Sequence, residues 1–386
     1  MGEIGRPPPR PSPRRWMASL PRWGGGGSKA AFRRAVAWVQ ANLFSSVANS
    51  VLSLLAMWLA AKGVWIAVDW ALVSAVFTGE DGRACAGSGV GACWPFVTHK
   101  FGAFMFGRYP DAEVWRVLLV YGLALAWIGA LAWPALRARG AVMLGLAVLV
   151  PVVCFVLLVG GSFGLKSVPT DLWGGLLVTL VVASAGIVAS LPLGTLLALG
   201  RRSDLPIVRW LSIGFIEIVR GVPLITVLFM ASVMLPLVLP PGVSFDKLLR
   251  ALIGVALFAA AYMAEVIRGG LQAIPKGQFQ AADAMGLTGV QKMRFIILPQ
   301  ALRIVIPGIV NSYISLFKDT SLVLIIGLFD LLGVVQQAVT SDAKWFSPAT
   351  AVTGYVFAGI VFWVFCFAMS RAAAALEVHL AEGRAR

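Results

Sequence analysis

The chain has 386 residues, of which 59% are hydrophobic and 13% are charged, and its formal net charge is +15. Soluble domains carry roughly 25% charged residues, so this composition excludes an ordinary soluble domain and indicates an integral membrane protein. In such a protein Lys and Arg concentrate in cytoplasmic loops, so the positive charge is not evidence for nucleic-acid binding.

The N-terminal segment is polar and basic. Residues 1–46 contain eight Lys and Arg but a single acid, Glu3, and the part from Gly5 to Ser28 is rich in Pro, Arg and Gly. This composition predicts a disordered cytoplasmic segment over residues 1–46. It does not fit a cleavable signal peptide, because it is too long and too rich in proline ahead of the first apolar run.

A run of four glycines, Gly24–Gly27, precedes Ser28 and Lys29. A phosphate-binding loop needs Gly-x4-Gly-Lys-Ser/Thr after a strand, and no segment of this sequence has that order. We therefore predict that the chain does not bind ATP through such a loop, and we expect no cofactor on it.

Apolar runs of membrane-spanning length make up most of the remaining chain. A helix needs about 20 apolar residues to cross the hydrocarbon core of a bilayer. The sequence predicts eight such spans: Val47–Val68, Val114–Leu136, Ala141–Phe163, Gly174–Leu199, Val222–Leu239, Leu248–Val266, Ile309–Val334 and Ala349–Met369. The predicted fold is therefore all-α and membrane-embedded, with about eight transmembrane helices.

These spans divide the chain into regions. The first three define an additional N-terminal transmembrane region over residues 47–165, with a loop at 70–113 on the periplasmic side. The last five define a core over residues 166–371, and residues 372–386 follow as a cytoplasmic tail.

The basic residues between the spans predict the orientation. They fall between spans two and three, between spans four and five, and in the long loop after span six: Arg137, Arg139, Arg201, Arg202, Arg209, Arg268, Lys276, Lys292, Arg294 and Arg303. When the spans alternate, these segments lie on the same side as the basic N-terminus, whereas the opposite loops carry mixed charge. That side is therefore the cytoplasm, and eight spans place both termini there.

The four cysteines form two groups by location. Cys85 and Cys93 lie in the loop that is predicted to be outside, separated by a flexible glycine-rich stretch, and an oxidising compartment favours a disulfide between them. Two free thiols are the alternative. Cys154 and Cys366 lie inside spans, where they are expected to pack as small apolar residues. No His or Cys cluster has metal-ligand spacing, so no metal site is predicted.

The loop from about Ile267 to Pro307 is too long for a simple connection between spans. Gln278 to Met285 is rich in helix formers, and Gly286 stands where a helix favours a terminal glycine. Thr288 and Gln291 have the spacing of a capping box, and Pro299 is predicted to end or kink the second helix. The small side chains of Ala281 and Ala282 would let a groove of another protein approach the backbone closely.

A polar run, Lys318-Asp319-Thr320-Ser321, interrupts the seventh span. Ionisable residues inside a membrane cost roughly 3 kcal/mol each and are tolerated when they pair or face an aqueous cavity. One hypothesis is that these residues line the path of a zwitterionic substrate. The other is that Lys318 and Asp319 satisfy each other, or a helix terminus, near the end of the span.

Two further pairs of opposite charge have helical spacing. Glu217 and Arg220 are three residues apart and so share a helix face, which predicts an ion pair on the cytoplasmic side, within the helix or between subunits. Glu265 and Arg268 repeat this spacing, and we expect them to stiffen the entry to the long loop.

Five short motifs follow one another through the second half of the chain. They are Glu217–Leu224 (EIVRGVPL), Ile274–Gln278 (IPKGQ), the Ala281-Ala282 pair followed by Gly286, Leu298–Leu302 (LPQAL) and Leu316–Leu322 (LFKDTSL). In this order, over about Asp171 to Arg371, they resemble the permease subunits of ATP-binding-cassette (ABC) importers for polar amino acids. The extension with three extra spans and the Cys85–Cys93 loop looks like the larger permease of the general L-amino-acid transport system in that family.

The resemblance implies a C-terminal five-helix permease core in the bacterial inner membrane. It implies pairing with a second, related permease, two copies of a separate ATPase subunit that hydrolyses ATP, and a periplasmic binding protein that delivers the amino acid. The chain itself is then a transport subunit and not an enzyme. Its cytoplasmic loop is expected to form a coupling helix that lies in a groove on the ATPase.

The residues that the resemblance assigns to ATPase coupling all lie in or next to this loop. They are Gly277, Gln280, Ala281, Ala282, Gly286, Leu298 and Pro299. The sequence departs from the family at Gln280, where an acid is expected before the alanine pair. Gln keeps a hydrogen-bonding side chain but loses the charge, so a salt bridge to the ATPase at this position is in doubt.

Two other classes of protein compete with this interpretation. An ion-driven secondary transporter often carries inverted repeats, but no convincing repeat is found, and the long loop has no obvious use in such a protein. A membrane enzyme would need a nucleophile–base pair or a metal set, and the two distant histidines, His99 and His379, do not supply one.

Overall fold

The computed structural model describes residues 28–132, 140–161, 164–240 and 245–382, most of which are helical. The chain divides into two compact units, Met1–Ala75 and Val76–Arg386. Helices dominate because a backbone that crosses hydrocarbon must satisfy its hydrogen bonds within its own segment.

The first unit contains helices α1 (Ser28–Leu43) and α2 (Val47–Val68), and a π-helical turn at Asp69–Val73 extends α2. Ser46 caps α2 by accepting a hydrogen bond from the Asn49 N–H. The prediction of disorder over residues 1–46 is therefore wrong for α1. Alanine, which has the highest helix propensity, occurs five times in α1, and this outweighs the polar composition. The rest of that prediction, over residues 1–27, lies outside the described residues.

The second unit contains the other helices, which we number α3 to α13. They are α3 (Trp94–Phe106), α4 (Val114–Ala132), α5 (Gly140–Val159), α6 (Gly175–Gly200), α7 (Pro206–Gly221), α8 (Leu224–Phe229, continued by a π-helical turn at Met230–Met234 and by Leu235–Val238), α9 (Lys247–Ala273), α10 (Lys276–Ala284), α11 (Leu298–Asp319), α12 (Leu331–Ser341) and α13 (Pro348–Glu382).

Five helical stretches in the described residues are long and apolar enough to cross a membrane. They are Val47–Val73, Gly175–Gly200, Lys247–Ala273, Gly289–Ile326 and Pro348–Glu377. Helices α7 and α8 count as a sixth if they form one span, although they meet at a bend of 106°. The predicted second and third spans correspond to α4 and α5 but include residues 133–136 and 162–163, which lie outside the described ranges. The total of eight spans therefore stays a prediction.

The predicted seventh span, Ile309–Val334, is wrong at both ends. Helical structure begins at Gly289 and ends at Ile326, where Gly327 adopts a φ of +73°. This left-handed conformation favours glycine and turns the chain out of the helix. Helix α12 is then a separate short element beyond the turn.

The loop predicted from Ile267 to Pro307 is correspondingly shorter. Helix α9 runs on to Ala273, and Pro299 lies where a π-helical turn, Lys292–Ile297, passes into α11, so it does not end a helix. A proline and a π-helical turn are both common causes of a kink, the other predicted role of Pro299.

The central contact of the second unit joins α6, α9 and α11, and glycine allows the close approach. A Cβ atom at Gly194 would lie 2.7 Å from the Met263 Cβ atom, and one at Gly186 would lie 2.8 Å from Leu316 Cδ2. Small residues at helix contacts let backbones pack closely inside a membrane. This packing fixes which faces of the three helices turn towards each other.

Residues after Val76 form an ordered layer against the ends of α12 and α13. Cys85 and Cys93 form a disulfide, with Cα atoms 5.8 Å apart, and both side chains are buried. The Cys93 N–H donates to Thr353 Oγ1 at 2.7 Å, and Ser347 Oγ donates to the Cys85 carbonyl at 3.0 Å. The disulfide therefore lies inside a packed core shared with the start of α13.

Asp330 is a fully buried carboxyl group in the turn beyond Ile326, outside the membrane-spanning stretches. Its Oδ1 caps α12 by accepting from the Gly333 N–H at 2.9 Å, and its Oδ2 has no hydrogen-bond partner within the described part of the chain. Burial raises the pKa of this carboxyl from 3.8 to about 6. The folded protein thus binds this proton more tightly than the unfolded chain, so the contribution of Asp330 to stability falls as pH rises between those two values.

We expect Asp330→Asn to raise the free energy of unfolding of the purified protein at pH 7.5 by about 1–3 kcal/mol, because the variant buries no charge. Asn also caps helices well. The gain should shrink towards pH 4.5, and thermal unfolding in detergent at both pH values measures it. Asp342→Asn is the control: Lys100 holds the pKa of Asp342 below its usual value, so that variant should lose stability at pH 7.5. An equal gain in stability for Asp330→Asn at both pH values would contradict a raised pKa for the Asp330 carboxyl.

Candidate functional site

The connection between α9 and α11, Ile274–Ile297, carries a short, well-terminated helix. Helix α10 begins after Pro275 and ends before Gly286, whose φ is +73°. Thr288 and Gln291 then form a capping box: the Thr288 N–H donates to Gln291 Oε1 at 3.0 Å, and the Gln291 N–H donates to Thr288 Oγ1 at 3.3 Å. The predicted helix, its terminal glycine and the capping box are all confirmed.

The two alanines of α10 face different environments. Ala281 is exposed, whereas Ala282 is 1% exposed and packs within the chain. Successive residues of a helix point about 100° apart, so Ala281 and Ala282 point in different directions. The prediction that both alanines present a docking surface is therefore wrong for Ala282.

The other residues assigned to coupling are distributed around the same connection. Gly277, Gln280, Gly286 and Pro299 are exposed, and Leu298 is half-buried. An ion pair between Lys292 Nζ and Asp283 Oδ1 at 2.5 Å joins α10 to the π-helical turn ahead of α11, and a hydrogen bond from Gln300 Nε2 to Gln278 Oε1 at 3.2 Å joins it to α11 itself. Helix α10 therefore contacts both α11 and the segment that leads into it.

Gly286 is required for its backbone conformation and not for lack of space. A Cβ atom there would meet nothing within 4 Å, but a β-branched residue at φ +73° costs about 1–2 kcal/mol. We expect Gly286→Val to displace α10 and reduce transport activity several-fold, while Gly286→Asn, which tolerates this conformation, retains most of it. Transport rates of the two variants at equal expression provide the measurement, and equal rates would contradict this role.

Five charged residues form a network across three helices next to this connection. Arg201, after the end of α6, contacts Glu217 of α7 at 2.8 Å and Glu265 of α9 at 3.7 Å. Glu265 also lies 3.5 Å from Arg220 and accepts from Arg268 Nε at 2.7 Å.

The observed pairs differ from the predicted ones. The expected Glu217–Arg220 pair is absent from the described residues, because each side chain finds a partner on a neighbouring helix. The Glu265–Arg268 pair is present as the spacing predicted. The pairing of Arg201 was missed, although two adjacent arginines at the end of a span, Arg201 and Arg202, are the available signal.

The network lies next to both the α9–α11 connection and a cavity inside the second unit, and Arg202, the chain neighbour of Arg201, makes the contact with the connection. The Arg202 guanidinium lies 5.5 Å from the Phe279 ring of α10. The Arg220 guanidinium lies 5.6 Å from the Tyr262 ring of α9, and Tyr262 lines the cavity. A continuous set of contacts therefore runs from α10 to the cavity wall.

The cavity has a volume of about 340 Å³ and lies between α6, α9 and α11. Its wall combines aromatic and aliphatic side chains with hydroxyl and amide groups and one carboxyl group: Ser190, Phe258, Ala259, Tyr262, Met263, Asn311, Ser312, Tyr313, Ser315, Leu316 and Asp319. An apolar site with a few polar groups of this kind is suited to a small polar molecule.

The structure separates the four residues of the polar run. Asp319 is half-buried and lines the cavity, whereas Lys318 is exposed and forms no ion pair with it among the described residues. Thr320 is buried and donates to the Phe317 carbonyl at 2.8 Å, and Ser321 donates to the Lys318 carbonyl at 2.9 Å. Thr320 and Ser321 therefore satisfy the local backbone, and Asp319 is the member placed at the cavity.

Comparison with known proteins adds three findings. Residues 190–381 match the family described as binding-protein-dependent transport system inner membrane component. The inner membrane amino-acid ABC transporter permease protein YhdY of Escherichia coli (strain K12) is 51% identical, over 91% of this chain and 94% of that protein. The glutamate/glutamine/aspartate/asparagine transport system permease protein BztC of Rhodobacter capsulatus is 40% identical, over 89% of this chain and 93% of that protein.

One solved structure, of an amino acid ABC transporter with histidines, is 26% identical with a TM-score of 0.47. The match covers 53% of this chain and 92% of that chain.

Proposed function

The chain belongs to the binding-protein-dependent inner-membrane permease family, and from this premise we propose that it is the permease subunit of an ATP-driven importer of L-amino acids. The observation that carries the proposal is the 51% identity to an amino-acid ABC permease over nearly the whole length of both chains. The chain is a multi-pass inner-membrane protein that contributes to transport, and ATP hydrolysis belongs to a separate subunit.

The partners follow from the proposed function. An ATPase dimer would bind on the cytoplasmic side, a second related permease would complete the path, and a periplasmic protein would deliver the substrate. The basic loops support placing the α9–α11 connection and both termini in the cytoplasm. The exposed face of α10, with Gln280 and Ala281, is then the surface that enters the ATPase groove.

The contacts of the charged network suggest how ATPase closure reaches the substrate path. Movement of α10 would act on α11 through the Lys292–Asp283 pair, and on the α6–α7 corner through the contact between Phe279 and Arg202.

The charged network then connects that corner to Tyr262 at the cavity, through Arg201, Glu217, Glu265 and Arg220. We infer that the inward- and outward-facing states differ in the pairing within this network, because it holds three arginines, with Arg268 as the third, for two carboxylates.

The cavity has groups for both ends of an amino acid. The Asp319 carboxylate is suited to the ammonium group, and the Asn311 amide can donate to the carboxylate, whereas the Ser190 hydroxyl already donates to the Ile187 carbonyl. Among the residues that the structure describes, no cationic side chain lines the cavity, so an acidic substrate side chain would be recognised there by neutral donors. Lys318, outside the cavity wall, takes no direct part.

Reconstitution tests the proposal. The chain is extracted in mild detergent with the proteins that accompany it, placed in vesicles with ATP inside, and supplied with binding protein and labelled amino acid outside. Uptake that requires internal ATP and survives dissipation of ion gradients is expected. Gradient-driven uptake by this chain alone, without an ATPase, would contradict the proposal and favour the secondary-transporter alternative.

A further inference from the structure

Arg220 is the arginine of the charged network with the weakest contacts. Glu217 lies 2.8 Å from Arg201, and Glu265 accepts from Arg268 Nε at 2.7 Å. Arg220 Nη1, in contrast, lies 3.5 Å from Glu265 Oε2, and its Nε is buried without a hydrogen-bond partner anywhere in the described ranges. A guanidinium group carries five N–H donors, so Arg220 has donors left for a further acceptor.

Arg220 lies just beyond the cavity wall. Its guanidinium is 5.6 Å from the ring of Tyr262, which lines the cavity and is 40% exposed. Its partner Glu265 follows Tyr262 by about one turn of α9, in the direction of the α9–α11 connection. Asp319, in contrast, is the last residue of α11 and so the lining residue of that helix farthest from the connection. Asp319 and Arg220 therefore lie at opposite ends of the cavity.

The charges of the network do not balance. Three arginines, Arg201, Arg220 and Arg268, share the two carboxylates of Glu217 and Glu265. A partly buried charge is costly unless it is paired, and a planar guanidinium pairs best with a carboxylate, through two parallel N–H groups. A carboxylate that arrived from the cavity would supply the missing partner.

We propose that Arg220 binds the carboxylate of an L-amino acid that leaves the cavity towards the α9–α11 connection. The substrate class rests on the proposed function. Inside the cavity Asp319 takes the ammonium group, and on the way out the carboxylate exchanges neutral donors such as Asn311 for Arg220. Tyr262, which touches both Arg220 and the cavity, marks the boundary between the two positions. An inorganic anion has no ammonium group and so gains nothing from Asp319.

This binding would also change how two helices are held together. Arg220 belongs to α7 and Glu265 to α9, so a substrate carboxylate that replaces Glu265 at Arg220 loosens the contact between them. Glu265 keeps Arg268 as its partner, so no carboxylate of the network is left unpaired. Release of the amino acid and re-pairing of the network are then one event.

Equilibrium binding to the whole complex, purified in detergent without ATP or binding protein, tests the proposal. The probe is radiolabelled L-glutamine, whose side chain is uncharged. Its displacement by unlabelled L-glutamine is compared with its displacement by L-glutamine amide, which lacks the carboxylate. We expect the parent complex to bind the amide at least about tenfold more weakly, because the amide cannot form paired hydrogen bonds from a cation to a carboxylate.

Substitutions at Arg220 should remove this preference for the carboxylate. Arg220→Gln should bind L-glutamine about tenfold more weakly and the amide as before, so that the two ligands become nearly equal. Arg220→Lys keeps the charge in the network but not the planar fork, so it should lose part of the preference while its thermal stability stays near that of the parent. Arg209→Gln, at an exposed site on the same helix, should change neither affinity.

Arg201→Gln is the matched control within the network, since Arg201 makes no contact with a residue of the cavity wall among the described residues. The preference for L-glutamine over its amide should survive in this variant. Its loss there would overturn the proposal, because the preference would then depend on the network as a whole.

Three further results would overturn the proposal. They are a full preference for the carboxylate in both Arg220 variants, displacement of the probe by inorganic phosphate as readily as by L-glutamine, and no binding of the probe to the parent complex. The second result would identify a general anion site. ATP-dependent uptake is measured separately by reconstitution, so these failures can be told apart from a failure of the proposed function.

Discussion

Replacing Ala281 with tryptophan is expected to abolish ATP-coupled uptake while leaving membrane insertion intact. Ala281 is exposed on α10, and a groove that accepts this helix closely has no room for an indole ring. We expect uptake to fall by at least about tenfold, which corresponds to ~1.4 kcal/mol of lost coupling free energy. The measurement is uptake into vesicles at equal protein density, together with the amount of ATPase that co-purifies.

Two matched variants define what this result means. Ala343→Trp places the same side chain on an exposed site on the predicted periplasmic side and should leave uptake unchanged. Ala282→Trp should lower the thermal stability of the permease itself, because Ala282 is buried within the chain. Normal uptake by Ala281→Trp would rule out α10 as the coupling helix.

Replacing Asp319 with asparagine is expected to reduce uptake by about tenfold or more without releasing the ATPase. Asp319 supplies the carboxylate of the cavity wall, and a hydrogen bond to a charged group contributes about 1.5–3 kcal/mol. The side chain of Asn has nearly the same shape, so the variant tests the charge and not the packing. The concentration dependence of uptake and the ATPase activity of the complex are measured together.

Lys318→Met is the control for this variant, since Lys318 is exposed and does not line the cavity. We expect its uptake to stay within about twofold of the parent protein, as exposed substitutions usually change free energies by less than 0.5 kcal/mol. Equal loss of uptake in both variants would favour the other hypothesis, in which Lys318 and Asp319 have a structural role near the end of the span. Unchanged uptake in Asp319→Asn would remove Asp319 from the path.

Local signals in the sequence determined several features on their own. The apolar runs define a membrane protein, the Thr288–Gln291 spacing defines a capping box, and Gly286 marks the end of α10. Each of these depends on residues within a few positions of one another. The order of the five motifs indicated the permease family, and it could be found without knowledge of the fold.

The three-dimensional structure decided which side chains meet. Glu217 pairs with Arg201 sixteen residues away, not with Arg220 at helical spacing, and Ala282 faces inward while Ala281 faces outward. Of the polar run, Asp319 reaches the cavity because α11 is rotated to place it there. The rotation of each helix about its axis is set by packing between distant segments, such as Gly194 against Met263. The sequence of one helix does not identify the residues of another helix that it will contact.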